Sequence, residues 1–264
     1  MLEQLNGATR VHFIVGDPIA QVKSPGGVTQ AFEAHGRNVI CVPAHVAPAD
    51  LAAWKEGVSL SKNVDGIIVT VPHKFACFDL CATASERAAF LHTVNTMRRN
   101  ADGSWHGDMF DGLGFVEAMR EGGIQPAGKR ALLVGAGGAG SAIAHAVVMA
   151  GVSVLAIHDE SANRRDALIQ RLDGLKGVRV EAGSANPEGF KLVLNATPIG
   201  MKDSDPFPID VSKLTQNMHV GCVITAPAIT PLIAAARGKG CSTQTGADMF
   251  AKVRDLMVDF LLEQ

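Results

Sequence analysis

Short apolar runs rich in Val and Ile alternate along this chain with longer stretches in which apolar residues recur every three or four positions. VHFIVG (11–16), NVICVP (38–43) and VDGIIVTVP (64–72) read as strands, and the segments from Ser24 to about His35 and 49–60 read as helices. Crossovers of this length imply parallel strands with helices packed on the sheet faces. The pattern weakens over 92–108, HTVNTMRRNADGSWHGD, where Asp102-Gly103 has the form of a hairpin turn. A helix follows from Gly112 to about Gly122.

After the loop GGIQPAGKR the alternation restarts with ALLVGAGGAG, a helix to about Ala150, VSVLAIHD, a helix over 161–174, a weak strand over 178–181 and FKLVLNATP. The chain is therefore expected to be α/β, built as two units. The last stretch, DMFAKVRDLMVDFLLEQ, predicts an amphipathic helix with Met249, Val253, Leu256, Met257 and Phe260 on one side.

Composition narrows the function classes. With 264 residues, 47% of them hydrophobic, the chain can bury one large core or two small ones. A net charge of −2 and no basic block longer than Arg98-Arg99 or Arg164-Arg165 argue against nucleic acid or a membrane surface as partner, leaving a small molecule. The start MLEQLNGATRVHF lacks a basic segment followed by an apolar core, and no apolar run approaches a membrane span, so a cytoplasmic location is expected. Five cysteines fit reduced thiols. His73, Cys77 and Cys81 recur every four positions on one expected helix, but such a stripe drifts round the axis, so they read as buried side chains and no metal is expected. Asn195-Ala196-Thr197 matches a glycosylation pattern that means nothing without a secretory signal. The absence of tyrosine excludes dehydrogenases that use a tyrosine general acid.

Two places carry candidate chemistry. Gly135, Gly137 and Gly140 fit G-x-G-x-x-G between a strand and a helix, where glycines let the backbone turn tightly and approach a pyrophosphate at the helix N-terminus. The alternative is a glycine-rich turn that only packs the helix on the sheet. Asp159, ending the next strand, can accept from a ribose 2′-hydroxyl and would repel a 2′-phosphate, which favours NAD over NADP. Arg164 and Arg165 could clamp a phosphate but read rather as a solvated helix face. In the first unit, Ser24-Pro25 has the form of an N-cap followed by proline, although the amides of Gly26 and Gly27 could also receive a carboxylate. Lys74 falls in the first turn of a helix, a poor place for a cation, which leaves a functional lysine and a surface lysine both open. Asp111 opens another helix, as a cap, as a chemical group or as both.

The segments GDPIAQVKSP (16–25), DGIIVTVPHK (65–74), TVNT (93–96), DGSWHGDMFDGLGF (102–115), GAGGAG (135–140), NATPIGM (195–201), TPLIAAARGKG (230–240) and TGADMF (245–250) resemble, in order and spacing, the shikimate and quinate dehydrogenase family. The resemblance implies a substrate-binding catalytic domain over 1–107 with a mainly parallel sheet, a Rossmann-type dinucleotide domain over 108–242, and a C-terminal helix over 243–264 packing back on the first. It implies that Lys74 is the catalytic lysine and Asp111 its partner, together handling the substrate hydroxyl proton. A lysine takes up a proton only as the neutral amine or through a relay. Ser24, Thr70 and Asn95 match positions that bind the substrate's carboxylate and ring hydroxyls. Cofactor contacts are expected from Gly135, Ala136, Gly137, Gly138, Ala139, Gly140 and Asp159, and from Thr197, Val223 and Gly246.

The chain departs from the family pattern inside the substrate site. Val22 stands where the family has serine, Met109-Phe110 where it reads Asn-Thr, Thr225 where it has tyrosine, Val253 where it has glutamine, and Ile68 where it has asparagine. Each lost hydrogen bond costs about 0.5–1.5 kcal/mol, and about 1.5–3 when the partner is charged, so shikimate held in the usual way should bind weakly. The expected activity is hydride transfer between NAD(P) and a hydroxylated, cyclic carboxylate such as shikimate, quinate or a relative, by a monomer or homodimer. Two other readings stand beside it: a non-catalytic dinucleotide- or metabolite-binding regulator, motivated by the eroded pocket, and a dehydrogenase of the same frame acting on a folate or amino-acid derivative.

Overall fold

The computed structural model describes residues 5–202 and 204–263. They form two α/β units, one running to Phe110 and including the residues from Arg254 onward, the other Asp111–Val253.

In the first unit β1 (Arg10–Gly16), α1 (Ser24–Ala34), β2 (Val39–His45), α2 (Leu51–Ser59) and β3 (Val64–Val69) make the expected strand–helix alternation. β1 lies between β2 and β3, parallel to both. Every residue of β3 is buried, which explains its almost unbroken apolar run. Its one charge, Asp65, accepts from Arg10 Nε at 2.6 Å. There follow α3 (Lys74–Asp79), β4 (Thr83–Ala84), α4 (Glu86–Leu91), β5 (Thr96–Arg99) and β6 (Trp105–Asp108). β5 runs antiparallel to β3 and β6, giving the order β2-β1-β3-β5-β6-β4. The turn at Asp102-Gly103 closes through the Ser104 N–H on Asp102 Oδ1 at 2.9 Å, with Gly103 at φ +85°.

The second unit holds α5 (Asp111–Glu121), β7 (Arg130–Val134), α6 (Gly138–Met149), β8 (Val154–His158), α7 (Ala162–Leu172), β9 (Arg179–Ala182), β10 (Leu192–Asn195), β11 (His219–Cys222), α8 (Pro231–Gly238) and β12 (Ser242–Gln244). Its six strands are all parallel, in the order β12-β11-β10-β7-β8-β9. The direction of winding reverses between β7 and β10, the switch point at which such sheets bind ligands at the strand C-termini. The last helix, α9 (Gly246–Leu262), contributes its residues through Val253 to this unit and those from Arg254 to the first. There, the Phe260 carbonyl accepts from Arg98 at 3.0 Å, and Leu261 packs over Gly66, where a Cβ would come within 2.6 Å of Leu261 Cδ2.

Local chemistry differs from the sequence pattern in two places. Ser24 is not the cap of α1: Lys23 holds that position without a side-chain bond, and Ser24 is the first helical residue, buried. The spacing of His73, Cys77 and Cys81 does not lie on one helix, because α3 is only six residues long and contains Cys77 alone. His73 Nε2 sits 2.8 Å from the Val46 carbonyl, and Cys81 Sγ donates to the Cys77 carbonyl at 3.2 Å.

Two buried histidines make the fold acid-sensitive. Burial pushes His12 down to about 4, although Asp65 draws the other way. Burial likewise lowers His219 to about 4. Below about pH 6.5 the unfolded chain binds protons that these folded rings refuse, so stability falls as pH drops from there to about 4. Each ring accounts for about 3 kcal/mol. Urea midpoints between pH 7 and 4.5 should decline, with a shallower slope in His12→Leu; an unchanged slope in that variant would assign the loss elsewhere.

Candidate active site

In the first unit the candidate substrate residues follow the C-terminal ends of β1 and β3. Gly16 ends β1 so close to Thr70 that a Cβ there would lie 2.4 Å from Thr70 Cγ2 and 3.0 Å from the Val71 carbonyl. Only glycine permits this approach. The Val69 N–H donates to the Asn95 carbonyl at 2.7 Å, the His73 N–H to the Thr70 carbonyl at 3.0 Å, and the Val94 N–H to the Lys74 carbonyl at 3.0 Å. Backbone bonds therefore bring Thr70, Lys74 and Asn95 together although they are scattered in sequence. Lys74 is half-buried at the first position of α3, and Thr70 is half-buried just beyond β3.

Asn95, 2% exposed, has a fixed amide: its Oδ1 accepts from the Phe110 N–H at 3.0 Å and from Thr96 Oγ1 at 3.1 Å. The oxygen is thus engaged twice, and the other hydrogen-bonding group of this side chain is its Nδ2 donor. Phe110 is 4% exposed, its ring centroid 5.4 Å from Phe260 and 4.9 Å from the Arg87 guanidinium carbon. Arg87 is in turn ion-paired with buried Asp108, which Ser85 also approaches. Val22 is half-buried and Ser24 buried on the segment leaving β1.

In the second unit Asp111 occupies the first position of α5, buried, where the positive end of the helix favours a carboxylate. Gly135 adopts φ +103°, and a Cβ on it would lie 2.9 Å from the Ala196 carbonyl carbon. At Gly140 a Cβ would lie 1.9 Å from the Gly135 carbonyl oxygen, so glycine is needed where α6 crosses the strand exit. At Gly137, the N-cap, a Cβ would meet nothing within 4 Å. α6 carries no side-chain cap and no acid in its first turn, and Gly138 and Ala139 at its start are only half-buried. Open space before uncapped amides suits a pyrophosphate, so the loop fits a dinucleotide.

Asp159 is wired into that loop. Its Oδ2 accepts from the Ala136 N–H at 2.7 Å, and its Oδ1 from the Ser161 N–H at 2.8 Å and Arg164 at 2.7 Å. Burial would raise its pKa, but the bonds from Ala136, Arg164 and Ser161 together hold it below the usual carboxylate value. Arg164 is exposed on its helix, as a solvated face requires, and also pairs with Asp159, while Arg165 pairs with its neighbour Asp166 at 2.7 Å.

Thr197 belongs to a turn built by Asn195, whose Oδ1 accepts from the Thr197 N–H at 3.1 Å and Oγ1 at 2.7 Å. Sequence reasoning did not single out Asn195, since its visible signal was an irrelevant glycosylation pattern. Val223 and Thr225 are half-buried beyond β11, and Gly246 opens α9 against them, where a Cβ would lie 2.2 Å from the Ile224 carbonyl oxygen. Val253 is buried on Gly114, where a Cβ would lie 2.4 Å from Val253 Cγ2.

Among known proteins, a family model for the shikimate dehydrogenase substrate binding domain matches residues 14–97. The NADP(+) shikimate dehydrogenase of Rubrobacter xylanophilus is 36% identical over 249 residues, 92% of this chain and 87% of that one. A quinate dehydrogenase from Corynebacterium glutamicum, solved in complex with NAD, is 28% identical with a TM-score of 0.86, over 97% of this chain and 94% of that one. A ligand-free 5-ketofructose reductase of Gluconobacter is 25% identical with a TM-score of 0.86, over 98% and 95%. No helix among the described residues is long and apolar enough to cross a membrane.

Proposed function

The chain belongs to the shikimate dehydrogenase family, and we propose that it oxidises and reduces a small hydroxylated carboxylate of the shikimate and quinate kind, with Lys74 and Asp111 as its proton-handling groups. It is a shikimate dehydrogenase-like oxidoreductase that works with a nicotinamide dinucleotide on a CH–OH group. The observation that carries the reading is the presence of both Lys74 and Asp111, each opening a helix, in a chain so similar to these enzymes along its length.

The dinucleotide supplies the hydride acceptor or donor. The Gly135–Gly140 loop and the first turn of α6 would hold its pyrophosphate. Lys74 Nζ exchanges a proton with the reacting hydroxyl, and the Asp111 carboxylate orients that exchange. Ser24, Thr70 and Asn95 hold the remaining polar groups of the substrate.

NAD is the proposed cofactor. A carboxylate offers about four acceptor sites, and three donors among the described residues occupy Asp159, leaving room on Oδ2 for a ribose hydroxyl. Arg164 is neutralised by the same carboxylate, and exposed Glu160 beside it adds further charge against a 2′-phosphate. Asp159→Asn keeps an acceptor for the Ala136 N–H while removing the charge. It is expected to raise kcat/KM with NADP relative to NAD about tenfold, and an unchanged ratio would count against the assignment.

Absorbance at 340 nm with NAD and NADP separately, across shikimate, quinate and aminoshikimate, tests the function. Reduction of either cofactor with one of them is expected, and silence across the panel would overturn it. One second reading has support: the 5-ketofructose reductase, which is 25% identical, shares the fold over 98% of this chain, and Val22 lacks the hydroxyl that the family presents at that position. Adding 5-ketofructose to the panel separates the two. Cytoplasmic location and a monomer or homodimer are proposed with it.

A further inference from the structure

Asp111 is the first residue of α5, so whatever holds that helix holds its carboxylate. Packing does most of this. A Cβ on Gly112 would lie 2.0 Å from the Ala142 carbonyl oxygen of α6, one on Gly114 2.7 Å from the Val253 nitrogen of α9, and one on Gly221 of β11 2.6 Å from Phe115 Cζ. Such contacts bring surfaces close but resist sliding only weakly.

One directional tie comes from β12. Gln244, 3% exposed, donates from Nε2 to the Phe115 carbonyl of α5 at 3.2 Å. A carbonyl inside a helix has its axial partner four residues on, so this second bond is lateral and is not needed to satisfy the oxygen. A buried amide is costly unless bonded, and an apolar side chain of the same size would fill the site.

Gln244 is itself braced. His219 Nδ1 lies 3.0 Å from Ser242 Oγ, both on strands flanking the same edge. His219 Nε2 and Gln244 Oε1 are both buried and make no hydrogen bond of ordinary geometry with a described residue, and Gln244 is the side chain that draws the ring's pKa upward against burial. If Ser242 donates to Nδ1, the neutral ring carries its proton on Nε2, the tautomer that would complement an amide oxygen. That tautomer would favour the orientation in which the amide NH₂ meets α5.

We propose that Gln244 is a positioning residue for the reaction, holding α5, and with it the Asp111 carboxylate, in register through the Phe115 carbonyl, with His219 and Ser242 setting its amide. The proposal rests on the assignment of Asp111 as a proton-handling group. It is tested by Gln244→Met in the full chain, assayed with whichever of shikimate, quinate and aminoshikimate the unmodified enzyme turns over. kcat should fall about tenfold while KM and the dinucleotide Kd change less than about twofold. In an Asp111→Asn background the same substitution should cause no further fall, because the group it positions is gone. A loss of thermal stability with kcat unchanged, or an additive loss in that background, overturns the positioning role. If Gln244→Met does not fold, His219→Leu leaves the amide but removes its brace, and should lower kcat alone; unchanged kcat in it overturns the proposal. Full activity of Asp111→Asn by itself would instead refute the function assigned to Asp111.

Discussion

Lys74→Ala and Asp111→Asn should each lower turnover by on the order of 10²–10⁴-fold, the range that a positioned acid or base contributes, while leaving dinucleotide binding intact. Neither residue belongs to the glycine-rich loop: Lys74 opens α3 and Asp111 opens α5. Neither variant should disturb the backbone bonds that seat these helices, since Lys74 receives the Val94 N–H through its main-chain carbonyl. Asp111→Asn keeps the size of the side chain at a helix start and removes only the charge and its ability to receive a proton. Lys74→Arg should fail almost as badly, because a guanidinium remains protonated at any working pH. Dinucleotide titration by fluorescence, beside steady-state rates, checks both halves. Full activity in either variant would remove that residue from the proton path, and lost nucleotide binding would point to misfolding.

Alternation of Val- and Ile-rich runs with helical stretches made the two α/β units legible, because strands buried on both faces, such as β3 and most of β7, are apolar along nearly their whole length. Elements off that pattern were not. β12 is three residues, Ser-Thr-Gln, and β11 begins with a histidine; the burial of Gln244 and His219 follows from their neighbours in the sheet, not from their own polarity. Ser24 looked like a cap because Ser-Pro is a common helix start, yet one more residue, Lys23, precedes it at the cap position. At the cofactor loop the glycine spacing was readable, whereas the Asp159 bonds to Ala136 and Arg164 depend on how β7 and β8 lie side by side. The same holds for the fixed amide of Asn95, which is decided by a backbone N–H fifteen residues away. Sequence carries the backbone rules well; the orientation of a polar side chain belongs to its three-dimensional neighbours.

Gly140→Ala and Gly137→Ala should separate the architectural from the ligand-facing glycines of the loop. At Gly140 the added Cβ would sit 1.9 Å from the Gly135 carbonyl oxygen and 2.8 Å from its carbonyl carbon, both backbone atoms with no rotamer to escape into. α6 must therefore back away from the end of β7. Overpacking of this kind costs about 1–3 kcal/mol, and it also shifts the first-turn amides that would receive the pyrophosphate. Gly135 cannot yield easily, since it already holds φ +103° against Ala196 and Thr197. Gly140→Ala should thus lower the thermal midpoint by several degrees and weaken dinucleotide binding at least about tenfold. At Gly137 nothing lies within 4 Å of the added carbon, so the protein should be as stable as before. That open volume is the space a pyrophosphate would enter, and dinucleotide affinity should still fall. Scanning calorimetry and a nucleotide titration on both variants decide the matter. If Gly137→Ala bound as tightly as the unmodified chain, the glycines would be serving helix packing alone.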